Sequence, residues 1–137
     1  MRFFVRMLYA GIAIILVLAS GRAWGASMEK PSDEGLFTVT LKMTAQHPAV
    51  GDNPFTLTIR DARSGAGVEK AAIEVIPWMT MHGHGSSKKA AVRETGGGLY
   101  TVHNVYFTMP GTWDLMVNIN KKGKKDSLTF TLKNVTN

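Results

Sequence analysis

The sequence predicts an all-β domain built as two antiparallel sheets packed face to face, and three observations predict it. Apolar and polar residues alternate with a period of two along most of the chain, the pattern of strands buried on one face. Turn-forming clusters such as Asp52-Asn-Pro54, Ser64-Gly-Ala-Gly67 and Lys122-Gly-Lys124 separate the alternating runs. No helical period of any length follows the N-terminal segment, so about seven short strands must bury their apolar faces against one another.

The 137-residue chain opens on Arg2 and Arg6, continues in an uncharged run from Met7 to Ala19, and then places the small residues Ala23 and Gly25 at the spacing of a cleavage site. That order is a secretory signal. Residues 1–25 are therefore assigned to a signal peptide which, left uncleaved, would be an inner-membrane anchor, although its apolar run is short of the roughly 20 residues a span needs. A periplasmic or otherwise exported location follows as an expectation, with membrane contact through that segment alone. The chain has no cysteine, so neither a disulfide nor a lipid-anchored cysteine supports the domain, and a hydrophobic core must hold it.

Residues 26–35 are polar, carry Pro31, Asp33 and Glu34, and lack any apolar period; they read as a flexible tether. The domain spans residues 36–134. Phe37, Val39, Leu41 and Met43 share one face of a first strand, and Phe55, Leu57 and Ile59 one face of a second. Lys70 to Ile76 is a third, with Ile73 and Val75 in phase, and Lys89 to Thr95 a short fourth that ends at Gly96-Gly-Gly98, a run costly to hold inside a sheet. Leu99 to Phe107 is the fifth. After Met109-Pro-Gly111, Trp113, Leu115, Val117 and Ile119 alternate with polar residues in the sixth, and Leu128, Phe130 and Leu132 do so in the seventh. Gly98-Leu-Tyr100 and the Pro110-Gly111 turn give the pattern an immunoglobulin-like look without the cysteine pair.

The net charge of +6 falls to +3 once Arg2, Arg6 and Arg22 leave with the signal. Most of that excess lies in Lys121-Lys-Gly-Lys-Lys125, a solvated hairpin tip with no interleaved aromatic residues, so no nucleic-acid partner is expected. Nor is an enzyme. The serines lie outside any nucleophile-elbow setting, the acids are scattered singly, and the glycine run has no following helix to cradle phosphate.

One stretch behaves neither as a strand nor as an ordinary turn: Pro77-Trp-Met-Thr-Met-His-Gly-His-Gly85. Met79, Met81, His82 and His84 put two thioethers and two imidazoles close together, and the glycines free the backbone to fold them toward one point. Thioether sulfur is a poor ligand for zinc, calcium or magnesium and a good one for Cu(I), so copper is the metal this set selects. An unbroken strand would send Met79 and Met81 to one side and His82 and His84 to the other; a loop would unite them. Either His103 or Met109 could complete the site. Met43 and Met116, isolated in strands, read as packing, as do Trp78 and Trp113, though a tryptophan face beside Cu(I) offers a cation–π contact.

Taken together, Pro77, Met79-x-Met81-His82-Gly-His84, Gly97-Gly-x-Tyr100 and Val105-x-Phe-x-Met109-Pro-Gly-x-Trp113-x-Leu-x-Val117 resemble the YtkA-like domain, related to the FixH family, over roughly residues 36 to 132. The resemblance implies a small exported immunoglobulin-type sandwich and, through FixH-like members, copper supply to haem–copper oxidases or their assembly. It makes Met79, Met81, His82, His84 and Met109 the positions of interest. The expected function is thus an exported copper-binding or copper-delivery protein that exchanges its ion with an envelope partner. The alternative is a metal-free interaction module that docks a partner through a sandwich edge or loop.

Overall fold

The computed structural model describes residues 26–137; the signal expected over residues 1–25 lies outside them. Eleven strands follow in order: β1 (Ser27–Pro31), β2 (Phe37–Met43), β3 (Gly51–Asp52), β4 (Phe55–Asp61), β5 (Ala72–Met79), β6 (His84–Gly85), β7 (Ala91–Gly96), β8 (Leu99–His103), β9 (Tyr106–Phe107), β10 (Gly111–Lys121) and β11 (Lys124–Val135). One sheet runs β1-β2-β4-β8-β7, the other β11-β10-β5-β6, and β3 and β9 pair separately. Every ladder between these strands is antiparallel. The chain is the all-β, immunoglobulin-like sandwich its alternation predicts.

Alternation and burial coincide where one face meets the core. Phe37, Val39, Leu41 and Met43 of β2, Phe55, Leu57 and Ile59 of β4, Trp113, Leu115, Val117 and Ile119 of β10 and Leu128, Phe130 and Leu132 of β11 are all buried in one continuous cluster between the sheets. At about 1.5–3 kcal/mol for each large apolar side chain removed from water, that cluster replaces the disulfide the chain lacks.

The tether assignment is corrected. Ser27–Pro31 is β1, paired with β2 from Ser27↔Lys42 to Pro31↔Thr38, and the Ser32 hydroxyl both accepts from the Phe37 N–H and donates to the Phe37 carbonyl. The strand lies at a sheet edge and is largely exposed, so its residues have no buried face to record in an apolar period. The expected fifth strand also divides. Asn104 adopts a φ of 58° and breaks it into β8 and β9, the second of which pairs with β3. Finally, β5 runs on through Pro77 to Met79, past the point where a loop is expected.

Two polar residues tie the sandwich together. Tyr100 of β8 is buried, donates its hydroxyl hydrogen to the Val68 carbonyl at 2.8 Å and accepts from the Ala71 N–H at 3.2 Å, so one side chain pins the connection leading into β5. Burial raises its phenol above the ordinary range.

Asp126 of β11 accepts from the N–H groups of Glu34, Leu36 and Ser127 and thereby holds the β1–β2 turn against the second sheet. Burial pushes its carboxyl up, and the neighbouring Ser32 side chain together with those three N–H groups outweighs that push and leaves it below the usual range. Asp61 is held down to about 2, chiefly by the N–H groups of Ser64 and Arg63 and then by Lys124. A carboxyl whose folded value is depressed contributes stability above its unfolded value near 4 and loses it as pH falls through the folded one. The urea midpoint is therefore expected to be level down to about pH 4 and to drop below it. Asp126→Asn, which removes the titrating group, should lower the plateau and flatten the descent; a descent as steep as in the parent chain would exclude Asp126 as its cause.

Candidate metal site at one end of the sandwich

The Met/His stretch forms a hairpin rather than an open loop. β5 ends at Met79, whose carbonyl accepts from the N–H groups of His82 and Gly83, and Gly83 takes a φ of 63° to close the turn. β6 then brings His84 back opposite Met79. Directly opposed residues in an antiparallel pair project to the same face, so this turn unites Met79 with His84 where a continuing strand would have parted them. Thr80 fixes the tip to the neighbouring strand by donating to the Asp114 carboxylate at 2.7 Å.

The opposite wall comes from the segment around Met109. Asp52 accepts from the Val105 N–H, and the Asn53 N–H donates to the Val105 carbonyl, anchoring the chain just before β9. The indole N–H of buried Trp113 donates to the Met109 carbonyl at 2.9 Å. Gly111, at a φ of 130°, passes so close to Met79 that a β-carbon there would stand 2.8 Å from the Met79 methyl carbon. The glycine of the Met-Pro-Gly turn is thus required by its conformation, while the approach is to the end of a flexible side chain that can move.

His84 and Met109 meet. The His84 Nε2 lies 3.2 Å from the Met109 sulfur, and the His84 ring stands edge-on to Trp113 with centroids 5.7 Å apart. The other ring nitrogen, Nδ1, faces the Gly85 carbonyl at 3.3 Å. A thioether and a carbonyl only accept, while a neutral imidazole donates from one nitrogen. One tautomer therefore donates to the Met109 sulfur and the other to the Gly85 carbonyl.

The remaining candidates stand apart to differing degrees. Met79 is buried directly beneath the corner, whereas Met81 is 84% exposed at the hairpin tip. His82 is exposed, with its ring centroid 6.0 Å from that of His84. His103 lies exposed at the end of β8, in the other sheet. Among the described residues no group of three His, Cys, Asp or Glu side chains could hold a metal ion. A site here therefore has to draw on sulfur, and the donor set excludes the hard cations. The sequence reads Trp113 as packing that could also turn a face to the cluster; it gives no sign that the indole N–H holds the Met109 carbonyl.

A model of the YtkA-like family matches residues 33–118, a span that includes both sides of this corner. No curated protein and no solved structure matches the chain.

Proposed function

The chain belongs to the YtkA-like family, and from that premise we propose that it is an exported copper-binding protein whose ion sits between His84 and Met109. The 3.2 Å approach of imidazole nitrogen to thioether sulfur carries the reading. Nitrogen and sulfur at about 2.0 and 2.3 Å from a shared ion are about 3.7 Å apart at a trigonal angle, so the two side chains need to part by roughly half an ångström to admit it. Met79 supplies a third donor from below, and Cu(I), content with two or three soft ligands, is the favoured oxidation state. His82 and Met81, at the exposed tip, are placed to pass the ion to or from an envelope partner by ligand exchange. The likeness to FixH-type domains extends the proposal to copper supply for haem–copper oxidases.

Anaerobic titration of Cu(I) into the chain in the presence of a competing chelator tests the assignment. One equivalent should bind, and Met109→Leu or His84→Ala should weaken it at least tenfold, about 1.4 kcal/mol, while His103→Ala leaves it unchanged. Binding that survives the His84→Ala/Met109→Leu double substitution would remove the site.

A further inference from the structure

The side of the sandwich between β5 and β7 is open, and we propose that it is a docking site where an extended acidic segment of a partner protein adds to the free edge of β5. β5 is covered by β10 on one side along Ala72–Trp78, but β6 reaches it only at Trp78 and Met79 on the other. The Pro77 carbonyl faces β6, standing 3.1 Å from where a β-carbon of Gly85 would lie. Backbone groups alternate sides along a strand. Those of Val75 and Ile73 therefore point to the same edge as Pro77, beyond the end of β6, where no described strand meets them.

A groove of about 560 Å³ runs beside this edge, within the roughly 300–1,000 Å³ of ligand-holding clefts. Its inner wall is the flank of the core: Ile73, Ala90 and Val92 are only partly buried there. An added strand would lay alternate side chains on these residues and complete their burial, as in strand addition to a sheet edge. The outer rim carries Lys88 and Lys89, both exposed, with Lys88 held over the Tyr106 ring at 3.9 Å from its centroid. Glu74, the acid in the same lining, already accepts from the Asn118 amide. Apolar residues inward and carboxylates toward the lysines are what this surface complements.

Pro77 argues against a second copy of the chain as occupant. It has no N–H to give to the edge it faces, and a two-fold pairing of β5 with itself would meet that gap twice, as well as opposing two lysine rims. A foreign strand meets it once.

The test uses the full chain without copper and a fluorescent capped peptide of roughly seven residues in which valine alternates with aspartate or glutamate, long enough for Ala72–Pro77 at about 3.3 Å per residue. Saturable binding is expected, weaker by about tenfold or more for the peptide with lysine at the acidic positions and for the chain carrying Lys88→Glu and Lys89→Glu. Val75→Pro, which removes an edge donor and no bond to β10, should abolish it. If that buried substitution prevents folding, the surface lysine pair still decides. Absence of saturation at millimolar peptide, or equal binding of the basic peptide, overturns the proposal. So does a chain that sediments as a dimer, which would give the edge to a second copy.

Discussion

Truncating Trp113 to alanine is expected to destabilise the chain by about 4 kcal/mol, within the range for removing a fully buried tryptophan, and to weaken the proposed copper binding in whatever fraction still folds. The side chain is fully buried, packs its ring 5.1 Å from that of Phe107, and stands edge-on to His84. Removing it leaves a cavity between the two sheets and releases the Met109 carbonyl. The two consequences separate in Trp113→Phe. That substitution keeps an aromatic ring but leaves the carbonyl without its donor, so the stability loss should shrink to about 1–2 kcal/mol while the slackened Met109 still costs copper affinity. Urea unfolding gives the first quantity and chelator competition the second. If Trp113→Phe binds copper as tightly as the parent chain, the indole N–H does not position Met109, and the tryptophan belongs to the core alone.

How far the sequence could be read depends on whether a residue's partner is a face or a point. Strands with one buried face were legible, because burial imposes the period of two that Phe37 to Met43 and Trp113 to Ile119 display. β1 was hidden because its residues are exposed to solvent as an edge strand. The passage of β5 through Pro77 was hidden because a proline reads as a breaker; only the ladder reveals that its missing N–H lies on the side where β6 stops and no bond is forfeited. The Met/His cluster was legible as a concentration of thioethers and imidazoles. Its geometry was not, since whether Met79 faces His84 is decided by a turn that closes through Gly83, and whether Met109 reaches them is decided by the indole of a residue four positions on. Met81 and His103 share the composition of ligands, but one is thrown to the hairpin tip and the other belongs to the opposite sheet.

Point contacts also explain the Gly96-Gly-Gly98 run, where the second large effect is expected. All three glycines have positive φ, so composition alone treats them alike. Their surroundings do not. A β-carbon on Gly96 or Gly97 would meet nothing within 4 Å, whereas one on Gly98 would lie 2.6 Å from the Ile59 carbonyl oxygen, 2.8 Å from the Gly67 α-carbon and 2.9 Å from the Val68 nitrogen. Those atoms are backbone and cannot swing aside. They are also bonded to one another: the Ile59 N–H donates to the Gly98 carbonyl at 2.8 Å, and the Val68 N–H donates to the Ile59 carbonyl at 2.8 Å. Gly98→Ala therefore has to separate β4 from the 67–68 segment, and with it the Val68 carbonyl that receives the Tyr100 hydroxyl. Its expected cost is about 3–4 kcal/mol, combining roughly 1–2 kcal/mol for the left-handed backbone with a similar amount for overpacking. Gly97→Ala carries the backbone term without the collision and should cost about 1 kcal/mol. The difference between the two urea midpoints isolates the close approach. Equal losses would mean that conformation alone selects glycine here and that the contact between β4 and the 67–68 segment yields at little cost.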